Sequence, residues 1–150
     1  MTNIDIRPAA RDDIPAIVAM LADDELGATR ESPDDLTPYH RAYERLRDDP
    51  NQLLVVADAD GEVVGTLQLT IVPGLSRKGA TRSIIEGVRV HGSRRGHGLG
   101  ARLVEWAIGE SRRQGCRLVQ LTSDSTRTDA HRFYQGLGFT DSHVGFKLQL

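Results

Sequence analysis

The sequence predicts a mixed α/β fold, and three observations carry this prediction. Short apolar runs typical of strands alternate along the chain with apolar stripes at helical spacing. The length of 150 residues is enough to bury a hydrophobic core without disulfides or a structural metal. We find no internal repeat, low-complexity segment or linker. We therefore expect one domain over residues 1–150.

The composition is that of a globular protein with small partners. Apolar residues make up 39% and charged residues 27% of the chain, proportions that disfavour a disordered or membrane-spanning protein. A net charge of -2 offers no general attraction for nucleic acid. Cys116, the single cysteine, cannot form an internal disulfide, and no Cys/His spacing indicates a metal site. With no apolar leader at the start, we expect a cytoplasmic protein without membrane contact.

The N-terminal half predicts a strand, two helices and a hairpin. Residues 4–8 alternate as a short strand that ends at Pro8. Residues 14–21 carry a helical stripe that Asp12 or Asp13 can cap, whereas residues 23–38 read as a loop or broken helix, a candidate lid. A second helix follows, with Thr37 as its N-cap. The two apolar runs 53–57 and 63–72, separated by Asp60-Gly61, then predict the hairpin.

The C-terminal half predicts alternating strands and helices. Residues 84–90 form a strand, and a helix with Leu99, Leu103 and Trp106 on one side ends at Gly115. Further along, we expect a strand over 118–121, a short helix over 129–135 and a final strand pair over 139–150.

The segment between the fourth predicted strand and its helix favours an anion site. Gly96, Gly98 and Gly100 leave the main chain without Cβ atoms, so that several N–H groups can converge on one anion. The helix N-terminus adds a partial positive charge, and Arg94 and Arg95 add full charges. Together these features predict a pyrophosphate cradle.

Other interpretations of the glycines fit less well. A flexible surface loop also contains Gly and Arg, but it does not require the flanking strand and helix. The spacing is G-x-G-x-G rather than the G-x-G-x-x-G of a dinucleotide-binding turn, and two helices and a hairpin come first. A Walker A motif is excluded because Gly-Lys-Ser/Thr does not occur.

These motifs resemble the GNAT superfamily of N-acetyltransferases. Its acetyl-CoA signature, Arg/Gln-x-x-Gly-x-Gly/Ala, is matched by Arg95, Gly98 and Gly100, directly after the strand 86–90. A second pattern, Phe-Tyr followed by Leu-Gly-Phe, is matched within residues 133–139. The resemblance implies a twisted, mostly antiparallel sheet that splays between strands 4 and 5 and is flanked by about four helices. Acetyl-CoA, the co-substrate, would lie in the gap and contact the following residues: Val88, Arg89, Val90, Arg94, Arg95, Gly96, His97, Gly98, Leu99 and Gly100.

The resemblance also implies direct transfer of the acetyl group to a primary amine of a small molecule. The amine must lose a proton before it attacks, and Glu86 stands where several relatives carry a proposed base. Its carboxylate is also able to bind the ammonium, or to pair with an arginine as an ordinary strand residue. Tyr134 matches the family's proton donor to the departing thiolate, with ordinary packing as the alternative. The amide of Val88 would meet the negative charge on the acetyl oxygen.

The sequence says less about the acceptor amine and the oligomeric state. Many relatives have a cofactor-contacting asparagine where this chain has Arg127. The last third is similar to aminoalkylphosphonate acetyltransferases, which favours a small amine with an anionic group. Alternating apolar residues over 144–150 favour a homodimer. The alternative functions are a non-catalytic acyl-CoA-binding regulatory module and, less favoured, a nicotinamide-dependent oxidoreductase.

Overall fold

The computed structural model describes residues 3–150 and contains a five-stranded sheet with helices around it. The strands are β1 (Ile4–Pro8), β2 (Gln52–Ala59), β3 (Glu62–Val72), β4 (Arg82–Val90) and β5 (Leu118–Gln120). The helices of this described part are α1 (Ile14–Ala22), α2 (Glu25–Arg30), α3 (Thr37–Asp48), α4 (Ser76–Gly79), α5 (Leu99–Arg113) and α6 (Thr128–Gly136). Helices outnumber the expected four because α2 lies within residues 23–38, expected as a loop or broken helix, and because the single turn α4 is included, although Arg77 and Lys78 within it have positive φ.

The sheet confirms the predicted mixed α/β fold. Its order is β1-β2-β3-β4-β5, antiparallel except for the parallel pair β4–β5. The hairpin β2–β3 closes at Asp60 and Gly61, which both have positive φ, as a type I′ hairpin turn requires.

The sheet is covered on both faces. Val56 packs with Ile14, Ile17 and Val18 of α1. At Gly65 of β3, an added Cβ would lie 3.0 Å from Leu103 of α5 and 3.3 Å from the Cβ of Ala57. Because neighbouring strand residues point to opposite faces, α1 and α5 cover opposite sides of the sheet. The large apolar side chains that are fully buried are the following: Val18, Val56, Val64, Leu67, Leu69, Leu103 and Val104.

The described chain forms two compact units by its internal contacts. The first ends at Gln120 and contains the sheet, and the second is Leu121–Leu150. In the second unit α6 is the one regular element, so the predicted final strand pair over 139–150 is wrong for the structure. The alternating pattern of Val144, Phe146 and Leu148 is real, but these side chains are exposed. A strand needs a hydrogen-bonded neighbour, and no described residue pairs with this segment as one.

Neither predicted helix cap makes a capping hydrogen bond in the structure. Thr37 is the first residue of α3 rather than its cap, and Leu36 precedes it without a capping side chain. The N–H of Thr37 instead donates to Asp35 Oδ1 at 3.1 Å. Asp13 precedes α1, but its carboxylate binds Arg7 and the N–H of Ala10 instead of capping that helix.

Candidate functional site

The C-terminal half of β4 has an edge that β5 does not cover. The two strands pair only at Arg82, Ser83 and Ile84. Residues 85–90 continue without a β5 partner, and we call this stretch the open edge of β4. A short parallel pairing followed by an uncovered strand end is the predicted splay between strands 4 and 5.

A bulge reshapes this open edge. Gln68 pairs with Glu86 and Thr66 pairs with Arg89, so Leu67 alone faces both Gly87 and Val88. Beyond the bulge the N–H of His91 donates to Val64 O at 2.8 Å. Alternate residues turn their peptide groups to opposite sides, so those of Val90 face away from β3. The main chain near Val88 and Val90 can therefore pair with an extended ligand.

The glycine-rich turn directly follows the open edge. A 3-10 turn over Gly92–Arg94 begins at His91, whose Nδ1 accepts from the N–H of Ser93 at 3.2 Å. Gly96 and Gly98 have φ of 81° and 80°. A Cβ built on either would meet no described atom within 4 Å, so there is room beside the main chain for a ligand. No side chain caps α5 after Gly98. Its first N–H groups therefore lack a capping acceptor, and the turn fits an anionic group such as a diphosphate.

The basic side chains of this turn have different surroundings. Arg94 and His97 line a cavity of about 170 Å³ together with Ile4, Leu99 and Arg102. Arg94 Nη2 also lies 4.0 Å from Glu62 Oε2. Arg95 instead pairs with Asp23, from Nη2 to Oδ2 at 3.2 Å.

Arg89 is held by a carboxylate that sequence reasoning did not connect to it. Its Nε lies 3.1 Å from Asp24 Oδ2, and its Nη1 donates to Val88 O at 2.9 Å. Asp23 and Asp24 form what we call the acidic link between α1 and α2. Asp23 and Arg95 are 72 positions apart, so no local spacing could have revealed the pair.

Glu86 is exposed on β4 and lies opposite Gln68. Gln68 Nε2 donates to Gln52 Oε1 at 2.9 Å, and the Thr70 hydroxyl donates to the same oxygen at 2.9 Å. Glu86 therefore stands at the end of a polar strip that crosses three strands.

Tyr134 lies on α6 in the second unit. Its ring contacts Phe133 and Phe139 edge-to-face, with centroids 5.1 Å and 5.9 Å away. The helix ends in a Schellman motif, because the N–H of Phe139 donates to Tyr134 O and the N–H of Gly138 donates to Gln135 O. The Leu-Gly-Phe pattern thus has a structural reason: it closes the helix that carries Tyr134.

Three other features that bear on chemistry or location can be read from the described residues: metal-ligand clusters, membrane-spanning helices and the Cys116 thiol. Within residues 3–150 no group of three His, Cys, Asp or Glu side chains is arranged to hold a metal ion. No helix in that range is long and apolar enough to cross a membrane. Burial raises the pKa of the Cys116 thiol, an effect that a hydrogen bond from Ser83 partly offsets. This thiol is therefore a poor nucleophile at neutral pH.

Comparisons with solved structures agree with this fold. A crystal structure described as a transcriptional regulator from Bacillus halodurans C-125 is 45% identical to this chain, with a TM-score of 0.95. It covers 99% of this chain, and this chain covers 100% of it. Glucosamine-6-phosphate N-acetyltransferase from Arabidopsis thaliana has the same fold at 20% identity, with a TM-score of 0.81 and 98% of each chain covered.

Sequence comparisons identify the family. The chain is 36% identical to the aminoalkylphosphonate N-acetyltransferase of Salmonella typhimurium over 111 residues, 69% of this chain and 71% of that protein. The model of the acetyltransferase (GNAT) family matches residues 16–139, which include β4, the glycine-rich turn and α6. The chain therefore belongs to the GNAT family of N-acetyltransferases.

Proposed function

We propose that this protein binds acetyl-CoA and transfers the acetyl group directly to a primary amine of a small molecule. The observation that carries the proposal is the adjacency of two main-chain sites, the open edge of β4 and the uncapped turn before α5. The first suits an extended amide-containing arm, and the second suits a diphosphate. Acetyl-CoA has both parts in one molecule and supplies an activated acetyl group.

The protein residues have separate tasks in this scheme. The amides of residues 95–100 hold the diphosphate, and those of Val88 and Val90 hold the arm. Exposed Glu86 accepts the proton of the ammonium or binds it. Tyr134 donates a proton to the thiolate that leaves as the new amide forms. Arg94 adds positive charge near the turn.

We propose a small amine with an anionic group as the acceptor. The support is the relative from Salmonella typhimurium, whose name gives aminoalkylphosphonates as its substrates. An aminoalkylphosphonate carries the primary ammonium that Glu86 suits.

The direct test measures release of the CoA thiol with a panel of aminoalkylphosphonates, polyamines and amino acids. We expect turnover with at least one aminoalkylphosphonate. Glu86→Gln should lower kcat more than it weakens acetyl-CoA binding, and Tyr134→Phe should lower kcat by about 10²-fold, as for loss of a general acid. Turnover unchanged in both variants would contradict their assignment.

A second candidate is a regulatory module that binds acyl-CoA without catalysis. The relative that favours it is the 45% identical structure described as a transcriptional regulator. Tight acetyl-CoA binding by calorimetry, with no thiol release for any amine of the panel, would favour this module over the enzyme.

We propose further that residues 1–150 act as one N-acetyltransferase domain, since the family match over 16–139 spans both compact units. A homodimer is supported by the exposed apolar residues near the C-terminus: Val144, Phe146, Leu148 and Leu150. A cytoplasmic location stays a prediction from the sequence.

A further inference from the structure

Two arginines fasten the acidic link to the open edge of β4. Arg95 Nη2 lies 3.2 Å from Asp23 Oδ2, and the same Nη2 is 3.4 Å from Asp23 O. Its Nε donates to Val90 O at 3.3 Å. One guanidinium thus spans a carboxylate of the link and a carbonyl that an incoming ligand would need.

Arg89 makes the same pair of contacts, with a carboxylate of the acidic link and a carbonyl of β4, but it is more buried than Arg95. It contacts Asp24 through Nε and Val88 O through Nη1. Its side chain is only 17% exposed, and the buried Nε makes a close ionic contact with Asp24 rather than an aligned hydrogen bond. A buried donor without an aligned acceptor is unfavourable, so this contact is one that a better partner can replace.

The Asp23 carboxylate also places negative charge beside the anion site. It is 3.8 Å from the position of a Cβ on Gly92, within the segment that leads into the turn. Asp23 and Arg95 are both more than half exposed, at 62% and 54%, so the ion pair can open without disturbing the core. A diphosphate at the turn would repel Asp23 and attract Arg95.

We propose that Asp23 and Asp24 are positioning residues that weaken the binding of acetyl-CoA by holding Arg95 and Arg89 on the carbonyls of β4. This inference rests on the proposed function. Binding of the cofactor exchanges each carboxylate–guanidinium contact for a contact with the ligand, and it releases the acidic link from β4. The link between α1 and α2 is thereby coupled to the occupancy of the cofactor site.

The test is calorimetric titration of acetyl-CoA into the wild-type protein and Asp23→Asn. We expect Asp23→Asn to bind acetyl-CoA about threefold to fivefold more tightly at low salt, as for removal of one exposed competing ion pair. The gain in affinity should shrink near 0.5 M salt, because screening by salt then limits interactions between exposed charges to a few ångströms. A merely structural role of Asp23 predicts the opposite sign, since damage to the site weakens binding.

Three further variants sharpen the result. Asp12→Asn removes the same charge at the other end of α1 and should leave the affinity unchanged. In an Arg95→Gln background, Asp23→Asn should give a much smaller gain, because the partner that it releases is absent. Asp24→Asn keeps a side chain suited to the start of α2, where Asp24 Oδ1 accepts from Gly27 N at 2.5 Å, so the fold is retained and tighter binding is again expected.

The outcomes separate this inference from the proposed function. If the wild-type protein binds acetyl-CoA and Asp23→Asn binds it equally or more weakly, the inference is overturned and the function stands. If the wild-type protein does not bind acetyl-CoA at all, the proposed function fails, and the inference fails with it.

Discussion

Asp13 is the charged residue whose loss should cost the fold most. It is 8% exposed, accepts from Arg7 Nη1 at 2.8 Å and from Nη2 at 3.1 Å, and also binds the N–H of Ala10 at 2.7 Å. Asp13→Asn leaves the Arg7 guanidinium half-paired in a partly buried site. We expect a loss of roughly 1–3 kcal/mol in the free energy of unfolding, measured by urea denaturation at neutral pH.

The same contact gives the protein an acid-sensitive stability. Arg7 holds the pKa of the Asp13 carboxyl below its ordinary value, against the opposing effect of burial. The unfolded chain, with a carboxyl pKa near 4, therefore takes up the proton first as the pH falls. The stabilisation is full above that value and is lost below it, through the lower folded pKa. Asp13→Asn should be less stable than the wild-type protein at neutral pH, and its free energy of unfolding should change less as the pH falls. Equal changes of the free energy of unfolding with pH in the two proteins below pH 4 would contradict this.

Gly98 is a residue of the proposed cofactor site at which a side chain should not be tolerated. Its φ of 80° lies in the left-handed region, where a β-branched residue is strained. Gly98→Val should abolish detectable acetyl-CoA binding, measured by calorimetry on protein shown to be folded by circular dichroism. The matched control is Gly109→Val later in α5, where a Cβ meets nothing within 4 Å. Equal loss of binding in both variants would place the effect in the helix rather than in the turn.

At the scale of elements, the closing turn of α6 depends on Gly138. Its φ is 98°. Its N–H and that of Phe139 donate hydrogen bonds to carbonyls in the last turn of the helix. Gly138→Ala should lower the free energy of unfolding by about 1 kcal/mol, because the Schellman motif requires a left-handed residue. Gly136→Ala in the same helix provides the control and should be neutral or stabilising. Thermal unfolding of the two variants checks the difference, and equal midpoints would refute it.

Elements with local signals were predictable from the sequence, and those that depend on distant partners were not. The hairpin was found because Asp60-Gly61 lies between two apolar runs, and α1 because its stripe lies within eight residues. The prediction of a final strand pair was wrong because alternating apolar residues indicate a segment with one apolar side, but they do not indicate whether another strand lies beside it. For the candidate site, the glycine-rich turn is one contiguous segment, whereas the Asp23–Arg95 contact joins positions that no short motif connects.

At the scale of the whole molecule, the C-terminal segment leaves a large apolar surface exposed. Phe146 is 93% exposed and Leu148 is 86% exposed, which is unfavourable for a monomer in water. We expect a dimer in sedimentation velocity, and Phe146→Glu should shift it to monomers. Gln149→Glu changes the charge on the alternate side of the same segment and should leave the dimer intact. A wild-type protein that sediments as a monomer would remove the basis of this prediction.

The close approach at Gly65 has a consequence for the distance between strand and helix. A methyl carbon there would lie 3.0 Å from Leu103 Cδ1, a tighter contact than most side chains make, so α5 packs closely on β3 at this point. Since α5 begins at the glycine-rich turn, a larger residue at position 65 would press on the Leu103 side chain in the second turn of that helix and force it to shift. The packing of the helix that follows the proposed phosphate-binding turn thus depends on a position that lies outside the turn itself.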